Sequence, residues 1–146
     1  MTLENTGRLL RIASNQMIHQ FDRFGVSYGL TSMQMSIIDY LAHSEGTPRI
    51  QHDIELEFNV RRSTMTLILQ RMEKASLVRR KPAVSDGRQK VVVLTKKSKA
   101  LATEIEQYMT AQNSRVTETF GEKRVAEFQE ILNYYTTLKN EDLTDD

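Results

Sequence analysis

Asn59-Val60-Arg61-Arg62-Ser63-Thr64-Met65-Thr66-Leu67-Ile68-Leu69-Gln70-Arg71-Met72-Glu73-Lys74-Ala75-Ser76 is the stretch on which the fold turns. Apolar residues at Met65, Ile68 or Leu69, and Met72 have the spacing of one buried helix face. The opposite face carries Arg62, Thr66, Gln70 and Arg71. A helix N-terminus is already positive, so an acidic or Ser/Asn cap normally sits there. Arg61 and Arg62 do the reverse, at a cost in stability unless an anion comes to meet them. Phosphate is the obvious anion. The stretch reads as a DNA-recognition helix. The plain alternative is a solvated helix start that happens to hold arginines.

The residues before it fit that reading. Gln51 to Phe58 has the length of a short helix, with Ile54 and Phe58 as its apolar points. Asn59-Val60 makes a tight turn, and Asn tolerates the left-handed conformation that would close the first helix. A short helix, a tight turn and a second helix led by basic and hydroxyl residues make a helix-turn-helix. After Ser76 the period changes. Leu77 to Pro82 and Lys90 to Leu94 are short β-prone runs, and Asp86-Gly87 between them is a hairpin-turn pair. The result is a hairpin with a basic tip, a wing.

Long helices flank this module. Residues 8–24 place Leu9, Leu10, Ala13, Met17, Phe21 and Phe24 at steps of three and four. Gly25 and Gly29 break the pattern, and Thr31 or Ser32 caps a second helix with Met35, Ile38 and Leu41 inward. Thr95 caps a long helix whose inner face runs through Leu101, Ile105, Tyr108 or Met109, Gln112, Val116 and Phe120. Gly121 ends it, and a last helix carries Val125, Phe128, Ile131 or Leu132, Tyr135 and Leu138. The expected fold is mainly α with a small β-hairpin wing. Residues 1–30 are expected to form an N-terminal helix, 31–99 a winged helix-turn-helix domain and 100–146 the C-terminal helices; the resemblance described below makes the first and last of these dimerisation helices.

Charge segregates in the same pattern. The chain of 146 residues has a formal net charge of only +1, yet residues 61–99 hold twelve Lys/Arg against two acids, a net of +10. The remainder is −9. A basic middle between acidic ends is the footprint of a nucleic-acid face. The twelve include Arg61, Arg62, Arg71, Arg79, Arg80, Lys81, Arg88 and Lys90. There is no cysteine, which removes disulfides, thiolate metal sites and cysteine redox sensing together. No basic n-region with an apolar run opens the sequence, and no run nears the roughly 18 apolar residues of a membrane span. A soluble cytoplasmic protein is expected.

Enzyme readings find no support: there is no nucleophile elbow, phosphate loop or metal motif. No cofactor is expected. His52 and Glu55 sit three apart on one helix and are read as a solvated pair rather than a metal site. The seven methionines read as core filler.

Taken in order, these segments resemble the MarR family of winged helix-turn-helix transcriptional regulators over nearly the whole chain. The residues that carry the resemblance are Gln51-His52-Asp53-Ile54-Glu55, Arg61 to Thr66, Gln70 to Arg80, and Asp86-Gly87-Arg88 through Leu94-Thr95. Ser76 and Ser98 stand where the family commonly has glycine. Glu55 and Leu67 stand where it often has alanine and a polar base-reading residue. The resemblance implies a homodimer with interlocked terminal helices and two recognition helices in successive major grooves of a palindromic operator. Arg62 and Thr66 are then expected nearest the bases, with Ser63, Thr64 and Arg71 on phosphates. Arg88, steadied by Asp86, is expected in the minor groove. It also implies a repressor modulated by a small aromatic or anionic ligand, for which His19 and Tyr40 are the candidate contacts. An architectural DNA binder with little sequence preference is the alternative, and a winged-helix protein-interaction module a weaker one.

Overall fold

A computed structural model describes residues 3–44, 46–83 and 87–138. The helices are α1 (Thr6–Gly25), α2 (Ser32–Ala42), α3 (Gln51–Phe58), α4 (Arg62–Lys74), α5 (Lys96–Phe120) and α6 (Glu122–Thr136). Between α4 and α5 lies the antiparallel hairpin of β1 (Val78–Pro82) and β2 (Lys90–Leu94), in register from Val78 opposite Leu94 to Pro82 opposite Lys90. The mainly helical fold with one hairpin wing is the one expected. No helix among the described residues is long and apolar enough to cross a membrane.

The chain divides into two compact units, Met1–Ile105 and Glu106–Asp146, so the division falls inside α5. In the first unit, Met35, Ile37 and Ile38 of α2, Ile54 of α3, and Met65, Leu69 and Met72 of α4 are fully buried. With Val78 and Val92 of the hairpin they form one core. The α4 stripe is therefore the expected one, with Leu69 rather than Ile68 inward. Local chemistry sets the joints. Thr31 and Gln34 cap α2 reciprocally, backbone to side chain at 3.1 and 3.2 Å. Asp22 of α1 accepts from the Ser32 N–H at 2.7 Å, an anion placed at the α2 N-terminus. Gly25 takes the close approach of Leu30: a Cβ there would lie 2.3 Å from the Leu30 carbonyl oxygen.

The start of α5 is tied to the end of α4 and the start of β1. Thr95 and Ser98 cap each other, and the fully buried Ser98 hydroxyl donates to the Leu77 carbonyl at 2.7 Å. Ser76, the last residue before that joint, is left-handed at φ 59.

Among the described residues the terminal helices leave much of their apolar surface exposed. Along α1 only Gly25 is buried, and Leu9, Ile12, Met17 and Ile18 are exposed. Among the described residues of the second unit only Val125 of α6 is buried, and Val116, Phe120, Phe128, Ile131, Tyr134 and Leu138 are exposed. These stripes have helical period but no covering element in their own unit among the described residues.

Candidate nucleic-acid interface

The helix-turn-helix closes as the sequence requires. Asn59 ends α3 in the left-handed region at φ 51, ψ 50, and the Val60 N–H reaches back to the Glu55 carbonyl at 3.0 Å. Arg61 then takes the extended N-cap conformation of α4 with no side-chain cap, and the first turn contains no acid. The helix dipole and two guanidinium groups therefore add at one place. At the far end the charges are placed favourably: Arg71 and Lys74 lie in the last turn, and Lys97 Nζ donates to the Ala75 carbonyl at 3.0 Å. Of the two ends of α4, the N-terminal one lacks its electrostatic complement among the described residues.

Arg61, Arg62, Ser63, Thr64, Leu67, Gln70 and Arg71 are exposed on α4. Thr66 is half-buried and its hydroxyl is already engaged. It donates to the Arg62 carbonyl at 2.9 Å and accepts from Gln51 Nε2 at 2.9 Å. Gln51 thus locks the first residue of α3 onto the first turns of α4. Sequence reasoning missed it, because a contact across 15 residues leaves no local mark.

A cleft of about 570 Å³ opens between the start of α3, the start of α4 and the hairpin. Arg62, Thr66, Arg80, Arg88 and Lys90 line it together with His52 and Glu55. Arg80 is the inner member, half-buried and ion-paired with Glu73 of α4. It thereby joins the wing to the recognition helix. His52 Nδ1 stands 3.7 Å from Glu55 Oε1, and among the described residues no group of three potential metal ligands forms.

Not every expected cation joins this cleft. Alternation along β1 sends Arg79 and Lys81 to the other sheet face, opposite Val93 and Val91. There they line a second cavity of about 390 Å³ with Arg49 and Lys99. Asp86 lies outside the described residues. His19 is exposed on α1. Tyr40 packs edge-on against Phe58 at 5.8 Å, and the Arg49 guanidinium lies over its ring at 5.3 Å. Neither His19 nor Tyr40 lines either cavity.

Comparison with known proteins agrees with this architecture. A family model described as MarR family matches residues 28–89. The structure is similar to that of the transcription regulator MarR from Oenococcus oeni PSU-1, at 44% identity and a TM-score of 0.81, covering 90% of this chain and 98% of that one. It is also similar to Staphylococcus aureus MepR in a complex with DNA, at 19% identity and a TM-score of 0.83, covering 91% of this chain and 96% of that one. At that identity the second likeness carries the fold alone. In sequence, the chain is 27% identical over 113 residues to the homoprotocatechuate degradative operon repressor of Escherichia coli, covering 77% of this chain and 75% of the repressor.

Proposed function

The chain belongs to the MarR family of transcription regulators, and on that premise we propose that it is a cytoplasmic homodimer that represses nearby genes by binding a palindromic operator. The single observation that carries the DNA-binding reading is the start of α4. Arg61 and Arg62 sit on the positive helix end with no acid in the first turn. Arg62, Arg88 and Lys90 share the adjoining cleft. Phosphate supplies the missing anion. We place Arg62 nearest the bases, Ser63, Thr64 and Arg71 on the backbone, and Arg88 in the minor groove beyond. Thr66 serves this reading by fixing α4 against Gln51.

Dimerisation is supported by the exposed apolar stripes of α1 and of the second unit, which a second copy would cover. Repression is supported by the name of the Escherichia coli relative. We further propose modulation by a small aromatic or anionic ligand, with His19 and Tyr40 as its candidate contacts; family membership supports the modulation.

Operator selection from a random DNA pool, followed by salt titration, tests the proposal. Affinity should fall by about 0.9 log units per neutralised phosphate for each log unit of salt. A salt-independent affinity overturns it. A specific regulator holds its selected site against mixed genomic competitor, whereas an architectural protein gives it up.

A further inference from the structure

Leu67 is the one large apolar residue on the solvent face of α4. It is 55% exposed, while Met65, Leu69 and Met72 of the same helix are wholly buried. Its neighbours one turn either way, Ser63, Thr64, Gln70 and Arg71, are all polar and exposed. Leu67 therefore contributes nothing to the core and sits at the centre of an otherwise hydrophilic surface. A lone exposed leucine is unremarkable on most helices. On this one it occupies the middle of the surface offered to DNA, and resting on the DNA-binding reading above it acquires a ligand.

The major groove exposes one apolar group, the 5-methyl of thymine, and apolar side chains read it by contact. A leucine has no donor or acceptor for the remaining base edges. We propose that Leu67 is a specificity-determining residue that selects thymine by its methyl group, once in each half-site.

The test uses the full-length wild-type protein, Leu67→Ala and Leu67→Gln with the selected operator. Each thymine is replaced in turn by deoxyuracil, which keeps every hydrogen-bonding atom and removes only the methyl. One symmetric pair of thymines should weaken wild-type binding about fourfold per half-site, the worth of one buried methyl group. Leu67→Ala should bind the thymine and uracil operators equally, and reselection with Leu67→Gln should lose the thymine preference at that position. Because Leu67 is exposed, the thermal midpoints of both variants should match the wild type. If no uracil substitution weakens binding, or the penalty persists in Leu67→Ala, the inference is overturned while the DNA reading stands. If the wild type binds DNA but selects no sequence at all, the inference falls together with the operator-specific reading, and the architectural alternative takes its place.

Discussion

Gln51 Nε2 donates to the Thr66 hydroxyl at 2.9 Å, while that hydroxyl spends its own proton on the Arg62 carbonyl at 2.9 Å. The pair sets the angle at which α4 leaves the turn, because it joins the first residue of α3 to the first turns of α4. Gln51→Ala should therefore cost about 1 kcal/mol of folding stability. It should weaken operator binding while leaving the order of preferred bases unchanged. Urea denaturation and binding to a panel of operator variants check both halves.

Arg62 and Lys90 line the same cleft but should fail differently. Arg62→Ala should relax preference at one position of each half-site, by about 1–3 kcal/mol for a bidentate guanine contact. Lys90→Ala should weaken all sequences alike and lower the salt slope by about 1 for each protomer. Uniform loss in Arg62→Ala would make that residue a phosphate contact.

Arg88 should matter most where the minor groove is narrow. Such grooves are A·T-rich and carry enhanced negative potential. Arg88→Ala should leave the melting temperature unchanged and weaken binding chiefly on operators with A·T-rich flanks. Asp86→Ala should weaken binding less. Equal wild-type affinity of Arg88→Ala on flanked and unflanked operators would remove the wing from the readout.

Ser76 offers a stability prediction independent of DNA. Its backbone is left-handed at φ 59, where a Cβ is strained and glycine is not. Ser76→Gly should raise stability by about 0.5–1 kcal/mol, after the entropy that glycine adds to the unfolded chain. Gly25→Ala should do the opposite, since its Cβ would meet the Leu30 carbonyl oxygen at 2.3 Å. Thermal unfolding of the two variants reads the opposed signs.

Phe128 and Ile131 are exposed on α6 at 51% and 56%. Charges placed there should dissociate a dimer. Phe128→Glu with Ile131→Glu should halve the mass seen by sedimentation and abolish high-affinity operator binding together. Unchanged mass would assign those stripes to something other than a second copy.

What was legible in the sequence was whatever a local rule controls. The left-handed Asn59, the Thr31 cap, the α4 stripe and the hairpin each follow from neighbouring residues. The alternation of β1 was equally available. It separates Arg80, which faces α4, from Arg79 and Lys81, which do not. Other features depend on partners distant along the chain. The Gln51–Thr66 bond, the Lys97–Ala75 bond and the buried Ser98 hydroxyl span 15, 22 and 21 residues. Ser98 looked like a mere substitution for glycine; its hydroxyl on the Leu77 carbonyl shows why a polar residue is tolerated there. The α1 stripe was readable as apolar, but no periodicity says whether its cover comes from the same chain.

The pairing around β2 has a consequence for the edges of the small sheet. The Val92 N–H donates to the Arg49 carbonyl at 2.8 Å, and Ile50 bridges Val91, so β2 has neighbours on both sides. Among the described residues, the strand edge left open is that of β1. That edge is five residues long, carries exposed Arg79 and Lys81, and ends in Pro82, which has no N–H to offer. Short length, repelling cations and a missing donor are the features that stop an open strand from templating another. Arg79 and Lys81, which alternation turns away from the cleft beside α4, thus guard the open edge of the sheet against pairing with a strand of another molecule.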